Sequence, residues 1–145
     1  MEKKIEDLEA LTEEAKRFVE TLAPAANAAT LVALSGELGA GKTAFTKAVA
    51  RALGVEETVT SPTFVLEKIY LLPAKKPFKR LVHIDAYRLT SGAELAPLGF
   101  DELMKDPSNL VLLEWPEHVA DALPAPAARL SFTALPDGSH KISYG

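Results

Sequence analysis

Leu31–Phe45 reads LVALSGELGAGKTAF, and three signals follow one another within it. The apolar run from Thr30 to Ser35 is short and bounded by turn signals, the pattern of a buried parallel strand. A glycine-rich turn follows. From Lys42 to Leu53, the residues Ala44, Phe45, Ala48, Val49, Ala52 and Leu53 share one helical face, and Gly54 stands at the C′ stop. The stretch is therefore strand, loop, helix. Within it Gly36, Glu37, Leu38, Gly39, Ala40, Gly41, Lys42 and Thr43 satisfy the phosphate-loop pattern G-x-x-x-x-G-K-[ST]. At average residue frequencies the pattern arises by accident on the order of once in a few hundred chains of this length. Its place between a strand and a helix is the context the motif demands.

The chemistry explains the residue types. Glycines let the backbone wrap closely, so that successive N–H groups point at phosphate oxygens and the helix N-terminus adds its positive dipole end. In such a loop Lys42 reaches the β- and γ-phosphates and the Thr43 hydroxyl ligates Mg²⁺.

The rest of the chain is read outward from there. At 145 residues, 48% apolar and 25% charged, it is expected to form one domain that buries roughly two thirds of its extended surface. The absence of cysteine excludes disulfides and thiol chemistry, and the charged N-terminus carries no signal-peptide core, so a soluble cytoplasmic protein is expected. No run is long or apolar enough for a membrane span. A net charge of −4 argues against a broad DNA- or RNA-binding surface.

Ile5, Leu8, Leu11, Ala15, Phe18, Val19 and Leu22 recur at three- and four-residue spacing, which predicts a helix over residues 5–22, stopped by Pro24. Thr60–Leu72 and Arg80–Asp85 read as an antiparallel pair joined by a basic, proline-containing loop. Ser91–Lys105 holds only short helical pieces, because Gly92, Pro97 and Gly99 interrupt it. Asn109–Glu114 is another buried strand, and ARLSFTAL with HKISY flank a Pro-Asp-Gly-Ser turn as a C-terminal hairpin. This order predicts an α/β sandwich with a mixed, mostly parallel central sheet flanked by helices.

A phosphate loop also needs a carboxylate at a neighbouring strand end to hold Mg²⁺, and a group that orients the attacking water. Asp85 ends RLVHID and Glu114 ends NLVLLE; both are candidates, and either could take the metal. A carboxylate abutting four apolar residues is better explained by a nearby cation than by lone burial. The turn TSPTF (Thr60–Phe64) lies where switch segments offer a hydroxyl, though by its residues it reads more readily as a plain proline turn opening a strand. Trp115, the only tryptophan, reads as an anchor or a site residue alike. His83 reads as a structural histidine; His118 and His140 are too scattered for a zinc site. Lys75, Lys76, Lys79 and Arg80 read as a solvated loop.

Together GELGAGKT, SPTF, HIDAYRL and LLEWPE, in this order and spacing, resemble the TsaE (YjeE) ATPases, which act in making threonylcarbamoyladenosine in tRNA. The resemblance spans nearly the whole chain. It implies a small α/β phosphate-loop domain that binds ATP and Mg²⁺ through Gly36–Thr43, with Asp85 and Glu114 at the metal and nucleotide site. It also makes Thr63 a switch-like threonine and Trp115 a functionally sensitive position. A further nucleotide contact is implied from the N-terminal helix, near Ala15, with Thr12 one turn away. The implied partners are TsaD and TsaB, with tRNA engaged indirectly through that complex.

Three functions remain in play on sequence alone: a partner-activated ATPase switch, a small-molecule kinase, and a nucleotide-binding scaffold without turnover. A kinase usually carries an arginine-bearing lid over the transferring phosphoryl group, and no inserted segment rich in arginine follows the loop.

Overall fold

The computed structural model describes residues 1–56 and 66–145. Among the described residues seven strands form one sheet: β1 (Glu2–Ile5), β2 (Thr30–Gly36), β3 (Glu67–Leu71), β4 (Arg80–Asp85), β5 (Asn109–Glu114), β6 (Ala128–Ala134) and β7 (His140–Tyr144). Their spatial order is β1-β7-β6-β2-β5-β4-β3. The four central strands β6, β2, β5 and β4 are mutually parallel; β1, β7 and β3 add antiparallel edges. The sheet is mixed, as expected, with its parallel pairing concentrated where the phosphate loop leaves it.

Two layers of helix cover the faces. Helices α1 (Leu8–Glu20) and α2 (Lys42–Ala52) lie on one side, with Phe18, Phe45 and Val49 packed against Leu34, Leu110 and Leu112 of the sheet. On the other side a 3-10 segment (Gly92–Leu98), the short α3 (Phe100–Met104) and a second 3-10 segment (Pro116–Ala122) cover Val82, Ile84, Val111 and Leu113. Every residue of β5 is buried, because alternate side chains feed both cores. That is why the sequence shows it as an unbroken apolar run rather than an alternating one.

The N-terminus corrects the sequence expectation. Helix α1 begins at Leu8, where the Asp7 carboxylate accepts from the Ala10 N–H at 2.8 Å, and it ends at Glu20, short of Pro24. Residues Glu2–Ile5 instead form an edge strand on β7. Ile5 is buried with the α1 side of the core, so its place in the helical period was coincidental. A four-residue strand stabilised by a partner 135 or more residues away leaves no local period to read. Helix α1 is fastened to the last strand by Glu14, which accepts from Arg17 and from the Tyr144 hydroxyl. The basic loop is not wholly solvated: Lys76 donates to the Ala52 carbonyl and Arg80 to Asn109 at 2.7 Å and to Asp106.

Candidate functional site

The phosphate loop turns on two glycines at positive φ, where any other residue would be strained. Gly36 ends β2 at φ 147°, and a Cβ there would stand 2.5 Å from the carbonyl oxygen of Phe132 on the neighbouring β6. Gly41 caps α2 in the left-handed region at φ 110°. It offers no capping side chain, so the first N–H groups of α2 are left for an anion. Gly36→Ala is therefore expected to lose about 2–4 kcal/mol of folding free energy, from strain and overlap together, in a denaturant titration. A loss under about 0.5 kcal/mol would show that β6 yields freely.

Lys42, only 4% exposed, folds back over the loop. Its ammonium donates to the Gly36 carbonyl and lies 3.6 Å from the centroid of the Trp115 ring. Burial lowers its pKa from the ordinary lysine value, against the opposing pull of Glu114, Glu117, Asp85 and Glu37. The Thr43 hydroxyl lies 3.1 Å from both carboxylate oxygens of Glu114 and donates there.

Parallel register brings the two acids together. Asp85 lies opposite Glu114, and Glu114 opposite Leu34, at the strand ends from which the loop springs. Both acids face the α2 side, in line with Leu81 and Leu112 of the same core. Glu114 is 2% exposed and its Oε2 is 2.5 Å from His83 Nε2. Asp85 is half-buried and accepts from the Tyr87 N–H at 3.0 Å. Burial raises its pKa above the ordinary value, the Tyr87 bond opposes the rise, and the negative charge of Glu114 adds to it. This is the local field of a site that favours an incoming cation. The donors are hard oxygens, two carboxylates and a hydroxyl. Among the described residues no group of three or more His, Cys, Asp or Glu could hold a metal. That donor set suits a Mg²⁺ that keeps waters and phosphate oxygens in its shell rather than an all-protein cage.

Trp115 lines the same cavity as Lys42 and the two acids. It takes a left-handed backbone (φ 62°), which is strained for a bulky residue, and its N–H donates to Leu34 O at 3.1 Å. Its ring lies 5.1 Å from Tyr87, with which it lines the cavity, and stacks on His118 at 5.1 Å, which backs the ring. His118 is held by a 3.0 Å contact between Nδ1 and the Ala86 carbonyl. Tyr87, His118 and His83 were not singled out from sequence as site residues. Their signal was spacing: Tyr87 and His83 each lie two residues from Asp85, and His118 lies three beyond Trp115.

A cavity of about 510 Å³ opens over the loop, lined by Lys42, Thr43, Asp85, Arg88, Glu114 and Trp115 among others. A second, of about 260 Å³ and more apolar, adjoins it through Ala40, Gly41, Ala44 and His140 and is lined by Leu8, Leu11 and Ile142. Leu8, 67% exposed on a helix whose other apolar residues are covered, finds its setting there. The helix contact expected near Ala15 is not at these cavities. Ala15 is fully buried in the core, and the Thr12 hydroxyl donates to Leu8 O within the helix. Thr63 and the rest of SPTF lie outside the described residues.

Fold and loop define the class: a mixed α/β protein whose strand–glycine loop–helix unit carries a phosphate-loop lysine and threonine beside two strand-end acids. The family model described as threonylcarbamoyl adenosine biosynthesis protein TsaE matches residues 9–142. The chain belongs to the TsaE family and so to the biosynthesis of this tRNA modification. It is 42% identical over 110 residues to the tRNA threonylcarbamoyladenosine biosynthesis protein TsaE of Streptomyces coelicolor, covering 75% of this chain and 72% of that one. Its identity to the Bacillus subtilis protein of the same description is 33% over 135 residues, 91% and 79% of the two chains. The crystal structure of Bacillus subtilis YdiB matches with a TM-score of 0.72 at 26% identity, over 99% of this chain and 83% of that one. Among the described residues no helix is long and apolar enough to cross a membrane.

Proposed function

We propose that the chain is a cytoplasmic ATPase domain, spanning residues 1–145, that binds ATP with Mg²⁺ and hydrolyses it as a switch for threonylcarbamoylation of adenosine 37 in tRNA. The observation that carries this reading is the convergence of Lys42, Thr43, Asp85 and Glu114 on one cavity at the end of β2, β4 and β5. Gly36–Thr43 cradle the phosphates, with Lys42 on the β- and γ-phosphates. Thr43, Asp85 and Glu114 hold the metal, which supplies charge neutralisation at the phosphates and a fixed orientation for them. Glu114 also orients the attacking water, since a buried carboxylate already bonded to Thr43 has a fixed direction. Thr63 supplies the switch hydroxyl. The adjoining apolar cavity beside Ala40 and Ala44 is where the base lies, contacted by Leu8 and Leu11 rather than by a helix threonine.

Weak turnover alone and stimulation by TsaD- and TsaB-type partners complete the proposal, with tRNA reached only through that complex. DNA and membranes play no part. The small-molecule kinase alternative is less favoured, because Arg88 alone of the arginines lines the larger cavity among the described residues.

Trp115 provides the direct test, as the single tryptophan with an ammonium against its ring. ATP is expected to draw Lys42 from the ring face and change the indole emission. Thr43→Ala should keep that response while raising the Mg²⁺ needed for tight binding by at least about tenfold, a cost met even for lost outer-shell partners. No emission change at millimolar Mg·ATP would sink the assignment of the cradle.

A further inference from the structure

We infer that His83 is a positioning residue that fixes the Glu114 carboxylate, an inference that rests on the proposed place of Glu114 at the metal and nucleotide site. Strand β4 alternates, so Leu81, His83 and Asp85 point to the α2 side while Val82 and Ile84 enter the opposite core. His83 thus occupies a core position, fully buried, between an ordinary leucine and a candidate metal ligand. An aliphatic side chain there would pack without cost, whereas an imidazole must find partners for two ring nitrogens. Only one is satisfied among the described residues. Nε2 lies 2.5 Å from Glu114 Oε2, while Nδ1 is buried without a hydrogen-bond partner. A polar group retained at the expense of an orphaned nitrogen points to the contact it does make.

That contact has a geometric consequence. The nitrogen facing a carboxylate carries the proton, so Nε2–H donates to Oε2 and ties down one end of Glu114 from the neighbouring strand. Thr43 Oγ1 approaches both oxygens at 3.1 Å from the α2 side. Held on two sides, the carboxylate cannot rotate, and Oε1 is the oxygen that His83 leaves open to a metal or a water. The arrangement parallels the outer-shell partners that orient ligating groups in metal sites generally. His83 touches neither nucleotide nor metal; it acts through Glu114.

The test measures Mn²⁺ binding by electron paramagnetic resonance with a non-hydrolysable ATP analogue, and analogue binding without metal by calorimetry. Three variants separate orientation from space filling. H83F is expected to weaken Mn²⁺ binding about 10–100-fold while leaving metal-free analogue affinity unchanged. H83Q, whose amide nitrogen can take the place of Nε2, should stay within about threefold of the parent, whereas H83N, which matches Nδ1 instead, should behave like H83F. Unchanged Mn²⁺ affinity in H83F, or equal behaviour of H83Q and H83N, overturns the inference. Should H83F fail to fold, the Gln and Asn variants decide alone. E114Q serves as the control: if it too leaves Mn²⁺ affinity intact, the reading of Glu114 fails. If E114Q loses affinity and the His83 variants do not, only the positioning role fails.

Discussion

Lys42→Ala is expected to retain cooperative unfolding and to lose ATP turnover by roughly 10²–10³-fold or more. The ammonium lies in the combined field of Glu114, Glu117, Asp85 and Glu37, and its removal takes away the cation seated against the glycine loop while those acids remain. Two unit charges about 4 Å apart at an effective dielectric near 20 interact by about 4 kcal/mol, which as a barrier is about a thousandfold. The fold has less at stake. Burial lowers the pKa of this group, so desolvation offsets part of what its contacts with Gly36 and Trp115 contribute to the fold. Steady-state phosphate release beside a thermal melt checks both halves. Turnover within tenfold of the parent would remove Lys42 from the reaction.

Glu114→Gln is the second large effect, and it divides binding from chemistry. The amide keeps the size and much of the hydrogen bonding that now joins Glu114 to His83 and Thr43, but it cannot accept a proton from water. Metal-free nucleotide affinity should stay within a few-fold, while single-turnover hydrolysis at saturating Mg²⁺ falls about 10²–10⁴-fold, the range for a lost general base. Glu114→Ala is a different experiment. It strands the buried His83 nitrogen, at about 1–3 kcal/mol of stability, so its activity loss is mixed with a folding defect. An E114Q protein that hydrolyses at the parent rate would assign water activation elsewhere, with Asp85 the next acid in register.

The parts of the fold legible in the sequence were those whose signal is local. Thr30–Gly36, the glycine loop and Lys42–Ala52 stand where the apolar run, the glycines and the 3.6-residue period put them. Asn109–Glu114 was legible because burial on both faces writes an uninterrupted apolar run. Strand β1 was not, since its existence depends on β7 at the far end of the chain. The same distinction holds for the candidate site. Lys42 and Thr43 follow from a motif, and Asp85 and Glu114 from the rule that acids end parallel strands at a phosphate edge. The aromatic cluster of Tyr87, Trp115 and His118 is tertiary: spacing places these residues near the acids, but their stacking needs the left-handed turn at Trp115. His83 looked like a core histidine and is one by burial; only the register of β4 against β5 reveals which oxygen it meets.

ATP turnover measured for the chain alone, with TsaB and TsaD together, and with small-molecule acceptors tests the central claim most directly. Slow release alone, stimulation by the protein pair and loss of that stimulation in Lys42→Ala are the predicted results. Phosphate transferred to an acceptor, or a rate indifferent to both partners, would contradict a partner-driven ATPase switch.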